Sequence, residues 1–217
     1  ATIVQAVVNG RGVFTNIKNA IQFLLSGNMA GILCVVYASV MGLPVPFLPV
    51  HLLFINLLTD SLPAIAIGME PARPGLLEQK PRDPRAPILD KPAAVRIFGQ
   101  GALIAASTMA AFYLGYAWGG ASAAATMAFA TLTLARLFHG FNCRGKEPIF
   151  RLGLGSNRFS LLAFAGGTAL LAAVLFVPGL SQLFAVTPLG AAQIGQIAAL
   201  AFAPTVLIQL FKALARR

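Results

Sequence analysis

The sequence predicts an all-α membrane protein, a bundle of six transmembrane helices preceded by a cytoplasmic stalk helix, and three observations lead to it. Hydrophobic residues make up 58% of the 217 positions and charged residues only 10%, with a mean hydropathy of +0.80. Those values lie far outside the range of water-soluble domains. The apolar residues gather into six segments, each near the roughly 20 residues needed to cross hydrocarbon. The sixteen lysines and arginines cluster at alternate ends of those segments instead of being scattered.

In chain order, residues 1–19 place Ile3, Val7, Phe14 and Ile17 at helical spacing among polar neighbours, the pattern of a solvent-side helix running into the membrane. The opening Ala1-Thr-Ile-Val has neither a basic leader nor a cleavage signal and reads as the interior of a longer protein. Residues 20–217 form the membrane domain, with spans expected at about 20–42, 47–69, 94–116, 121–143, 160–177 and 190–211. The connections 43–46, 117–120 and 178–189 contain no lysine or arginine. Every basic residue except Arg136 falls in the other connections or at the two ends, among them Arg11, Lys18, Arg73, Lys80, Arg82, Arg85, Arg144, Arg158, Lys212, Arg216 and Arg217. Positive charge is retained on the cytoplasmic side, so both termini are expected there, in a multi-pass protein of the cell membrane. The connection Glu70–Pro92, with Pro71, Pro74, Pro81, Pro84, Pro87 and Pro92, predicts an extended cytoplasmic loop and not a folded domain.

The formal charge of +10 points to anionic lipid head groups, not nucleic acid, because the cations sit at span ends and form no stripe interleaved with aromatics. Cys34 and Cys143 lie far apart in different apolar segments and are read as packing residues, neither a disulfide pair nor a metal motif.

Asp60 is the one acidic residue inside a membrane-length apolar segment. Insertion of such a charge costs roughly 2.5–3.5 kcal/mol, so it must face protein, a partner or an ion. Asn56 precedes it by one helical turn on the same face, Thr59 adjoins it, and Pro63 has no N–H to close a helical bond to the Thr59 carbonyl. A carboxylate, an amide oxygen and a freed carbonyl suit a hard cation; the competing reading is a hydrogen-bonded staple between helices. Asn28 in the first span could add an amide ligand or an interhelical hydrogen bond. Arg136, inside the fourth span, either snorkels to the interface or sets a fixed positive charge beside Asp60. His51 and His139 read as interfacial or packing residues. No Gly-rich phosphate loop and no Asp-Lys-Thr-Gly motif occur, so these residues alone do not hydrolyse ATP.

Phe54-Ile-Asn-Leu-Leu-Thr-Asp-Ser-Leu-Pro-Ala-Ile-Ala-Ile-Gly-Met-Glu-Pro71 closely resembles the sixth transmembrane helix of P-type cation ATPases of calcium-pump type. Asn9-Gly-Arg-Gly-Val-Phe-Thr-Asn-Ile-Lys18 resembles that family's stalk into helix five, and Lys80-Pro-Arg-Asp-Pro-Arg-Ala-Pro-Ile-Leu89 its loop between helices six and seven. The six spans would then be helices five to ten. The resemblance implies Asn56 and Asp60 as cation ligands, Thr59 as a ligand of a second ion and Asn28 as a ligand on helix five. It implies calcium or manganese as the transported ion, with ATP and magnesium handled by cytoplasmic domains in the remaining N-terminal part of the pump. Two departures stand out: Gly31 replaces a glutamate of the two-ion pumps, and Arg136 lies near the position of another. Their loss implies one ion per cycle, built around Asn56 and Asp60. A reading from a different class is a non-catalytic module (a scaffold, regulator or passive channel) that keeps the fold without the ATPase head.

Overall fold

The computed structural model describes residues 2–72, 78 and 87–215. Arg73, Lys80, Arg82, Arg85, Arg216, Arg217 and most of the proline-rich connection expected after the second span lie outside the described residues. Among the described residues all regular structure is helical. In lipid a spanning backbone must satisfy its own hydrogen bonds, and a helix does so within one segment.

Helix α1 runs without interruption over Thr2–Val40, so the expected division between stalk and first span leaves no mark in the backbone. Its buried positions, Phe23, Ser26, Gly27, Ala30, Gly31, Cys34 and Ala38, recur every three or four residues and are mostly small. That stripe lets a neighbouring helix approach closely. The second pass is interrupted: α2 (Pro49–Phe54), one π-helical turn (Ile55–Thr59), then α3 (Ser61–Gly68).

Helix α4 spans Lys91–Asn142, 52 residues, which as a straight rod would be about 78 Å long. It reverses at Gly119 (φ −145°, ψ 21°) and Gly120 (φ 72°, ψ −160°). The second of these conformations is open in practice only to glycine. The two limbs close tightly: a Cβ at Gly115 would stand 2.8 Å from the Ala123 carbonyl oxygen. The expected third and fourth spans are thus one hairpin, and among the described residues the five helices long and apolar enough to cross a membrane make six passes.

Short α5 (Ile149–Leu152) leads to α6 (Arg158–Phe176), whose N-cap Asn157 accepts from the backbone N–H groups of Phe159 and Ser160. The connection expected to follow holds a single short helix, α7 (Pro178–Leu183), before α8 (Ala191–Leu214). Pro204 inside α8 cannot donate to the Leu200 carbonyl; the Ser107 hydroxyl of α4 donates to it instead. A proline that would weaken a lone helix thus becomes a fastening between two.

The core lies along α4. Phe112, Ala124, Met127, Ala128, Phe129 and Leu132 are fully buried, with α1 and α8 packed on it and α6 bridging α3 and α4. Outward-facing Ile32, Leu53, Leu57, Ile65, Leu162 and Leu207 are more than half exposed, an apolar exterior that hydrocarbon or further helices would cover.

Candidate cation site

Asp60 owes its setting to the broken second pass. Leu48 caps α2 and Pro49 occupies its first turn, where the missing N–H costs nothing. Further on, the Asp60 N–H reaches back five residues to the Ile55 carbonyl, at 2.8 Å, and the Thr59 hydroxyl donates to the same oxygen at 3.0 Å. One extra residue is thereby held in the turn, a distortion frequent at functional sites. Pro63 offers no N–H, and the N–H of Ala64 goes to the Asp60 carbonyl at 3.1 Å. The Thr59 carbonyl therefore has neither of these donors, as the position of Pro63 predicts.

Three helices converge here. Arg136, on the returning limb of α4, is 2% exposed and forms an ion pair with Asp60 Oδ2, itself on a residue 2% exposed. The same guanidinium nitrogen donates to Asn28 Oδ1 on α1 at 3.1 Å. Its plane lies flat over Gly27, where a Cβ would stand 2.4 Å from Arg136 Nε. Of the two sequence readings, snorkelling is ruled out: Arg136 points inward because the absent side chain at Gly27 leaves room and Asp60 supplies the countercharge. The pair is incompletely satisfied, since Asp60 Oδ1 and Arg136 Nε are both buried without a hydrogen-bond partner. Each such atom costs about 1–3 kcal/mol.

Asp60 and Thr59 are buried, whereas Asn56 and Asn28 are exposed on the surface of the bundle. The expectation that Asn56 and Asp60 share a face assumed regular α-helical spacing; the π turn between them changes their angular offset. The Thr59 hydroxyl is engaged by its own helix. Among the described residues no three acidic, histidine or cysteine side chains group as metal ligands.

His51 and His139 are packing residues, as one of the readings had it, but not interfacial ones, being 0% and 1% exposed. His51 stacks on Phe129 with ring centroids 4.3 Å apart and His139 on Phe23 at 6.1 Å. His139 Nε2 also lies 2.8 Å from the Ser26 hydroxyl.

Sequence reasoning missed Glu70, assigned to an extended loop yet only 8% exposed. Arg144 Nε and a terminal guanidinium nitrogen grip its two carboxylate oxygens at 2.9 and 3.0 Å, and Asn157 Nδ2 donates to it at 2.8 Å. Asn16 of α1 donates to the Glu70 carbonyl at 2.8 Å and to that of Gly68 at 3.2 Å. A signal was available: an acid just past a helix C-terminus faces the negative end of the dipole and needs a cation nearby.

The family model for the C-terminus of cation-transporting ATPases matches residues 44–214. The chain belongs to this family. It corresponds to the C-terminal membrane region of a cation-transporting P-type ATPase. Its relatives include a calcium-transporting ATPase of Bacillus subtilis, 34% identical over 193 residues, covering 87% of this chain and 22% of that protein. One of Listeria monocytogenes is 36% identical over 217 residues, covering 97% and 24%. The mouse calcium-transporting ATPase type 2C member 2 is 30% identical over 215 residues, covering 98% and 23%. The chain thus spans about a quarter of the length of these relatives. It shares with them the membrane part of a cation-transporting P-type ATPase.

Proposed function

We propose that this chain is the cation-binding membrane part of an ATP-driven pump that exports calcium or manganese, one ion per cycle. The observation that carries this reading is Asp60: a buried carboxylate on a π-broken turn, with one oxygen held by Arg136 and the other unpartnered. A hard cation suits that oxygen together with the Thr59 carbonyl. Asn56 and Asn28 are exposed residues of the bundle, the Asn28 oxygen being held by Arg136, and a helix from the rest of the protein would complete the shell. Arg136 fills the volume where a second ion would otherwise need its own carboxylates, which supports a single site. In this reading ATP and magnesium act on cytoplasmic domains outside these residues, as the resemblance to calcium pumps implies. The retention of positive charge at alternate span ends supports the further reading that both termini are cytoplasmic, in a protein of the cell membrane.

Metal-dependent ATPase activity of the full-length protein tests this. Asp60→Asn is expected to abolish activation by micromolar calcium or manganese and to leave the expression level intact. Equilibrium binding of labelled calcium is expected to approach one ion per protein. Unchanged activation in Asp60→Asn would support the non-catalytic module instead, and two bound ions would refute the single site.

A further inference from the structure

Thr59 is 1% exposed, and its hydroxyl donates to the Ile55 carbonyl oxygen at 3.0 Å. Such bonds to the carbonyl four residues earlier are common for threonine in helices; Thr108, Thr126 and Thr133 make them within α4 at 2.8, 3.0 and 2.7 Å. The oxygen that Thr59 meets is different, because it also takes the Asp60 N–H, five residues on, at 2.8 Å. In α-helical register it would take the N–H of Thr59 itself. Within the π turn of Ile55–Thr59 the amide of Asp60 and the hydroxyl of Thr59 are two donors for the two lone pairs of one carbonyl.

The register of this turn decides where Asp60 points. Five residues here make little more than one turn, against about 1.4 turns in an α-helix, so α-helical register would carry Asp60 roughly a quarter-turn further round. The other half of the ion pair has no such latitude. Arg136 lies over Gly27 and donates to Asn28 Oδ1 at 3.1 Å, so α1 holds it in place. The pair forms only when the turn presents the carboxylate to it.

We propose that Thr59 is a positioning residue of the cation site: its hydroxyl holds the π register, and the register keeps the Asp60 carboxylate against Arg136 with Oδ1 left for an ion. The inference rests on the proposed role of Asp60 as a ligand. A direct ligand acts only when the ion is bound, whereas Thr59 acts on Asp60 with the site empty or filled. Valine keeps the branched shape of threonine and removes the donor, and the Ile55 carbonyl remains bonded to the Asp60 N–H.

The test uses the full-length protein in detergent, with calcium as the probe. Thr59→Val is expected to raise the calcium concentration for half-maximal ATPase activation about fivefold, the worth of one hydrogen bond. Thr59→Ser should restore the wild-type value, and Thr108→Val, which loses the same bond in the first limb of α4, should leave it unmoved. In chelator, Thr59→Val should lower the thermal unfolding midpoint of the wild type more than that of Asp60→Asn, where the pair is already broken. Unchanged calcium activation in Thr59→Val would overturn the proposal, as would an equal rise in Thr108→Val. A raised calcium requirement with additive midpoints in chelator would also overturn it, and would mark the hydroxyl as a direct ligand. If the cation reading of Asp60 is itself wrong, Asp60→Asn keeps its calcium activation and this proposal falls with it; if only the role of Thr59 is wrong, Asp60→Asn loses activation and Thr59→Val behaves as the wild type.

Discussion

Asp60–Arg136 and Glu70–Arg144 are both buried carboxylate–guanidinium pairs at the two ends of the same stretch of the second pass, and they are built to opposite standards. Glu70 receives two hydrogen bonds from Arg144 and one from Asn157. The remaining donors of Arg144 go to the carbonyls of Gly153 and Leu154 at 3.2 and 3.3 Å and to the Ser156 hydroxyl at 2.6 Å. Asp60 meets one guanidinium nitrogen, leaving one carboxylate oxygen and Arg136 Nε unsatisfied. Burying charge repays its desolvation only when the surrounding hydrogen bonds are complete. The Glu70 pair therefore fixes the end of α3 to α1 and to the approach to α6. The Asp60 pair leaves one buried carboxylate oxygen unsatisfied, the feature on which the proposed cation site rests.

The largest effect expected from this contrast is on Arg144. Arg144→Ala strands a buried Glu70 and should cost about 3–5 kcal/mol, read as a fall in the thermal unfolding midpoint of the full-length protein in detergent. Arg136→Ala should cost less, about 1–3 kcal/mol, because fewer bonds are lost. If the two substitutions cost the same, the distinction drawn between the pairs fails.

Gly27→Ala sharpens the comparison. Its methyl would collide with the Arg136 guanidinium, an overpacking worth about 1–3 kcal/mol, but should cost almost nothing once Arg136 is alanine. A double-mutant cycle that shows simple additivity would remove the close packing from the explanation. The smallest effect concerns the exposed pair at the start of α4. Lys18 Nζ at 3.0 Å and the Ala93 N–H at 2.8 Å hold the Asp90 carboxyl below the ordinary carboxylate range. A depressed carboxyl stabilises the fold at pH values above its unfolded pKa, and that contribution is lost as pH falls through the depressed value. Asp90→Asn should therefore flatten the decline in thermal midpoint below about pH 4; an unchanged decline would place the acid sensitivity elsewhere.

Helix number and the inward placement of Asp60 were legible in the sequence because both depend on composition over long windows. Six apolar segments and alternating positive charge are insensitive to local error, and Asp60 is conspicuous in a run of leucines and isoleucines. The offset between Asn56 and Asp60 was not legible, because the π turn is a one-residue change in hydrogen-bond register that apolar spacing does not record. Nor could the sequence choose between the two readings of Arg136, because its inward turn depends on a glycine 109 positions earlier in the chain. Glu70 was misread for a related reason: it lies at the boundary between an apolar helix and a proline-rich connection, where composition changes but burial does not.

The unbroken course of α1 has a mechanical consequence. A helix of 39 residues is a rod about 58 Å long, and the rod has no hinge between Asn16, fastened to Gly68 and Glu70, and Gly27, pressed against Arg136. Torque applied near Asn16 reaches the guanidinium as rotation of the same rigid body. The Asp60 pair is therefore coupled, through Gly27 and the Arg136 guanidinium, to the part of α1 that Asn16 anchors.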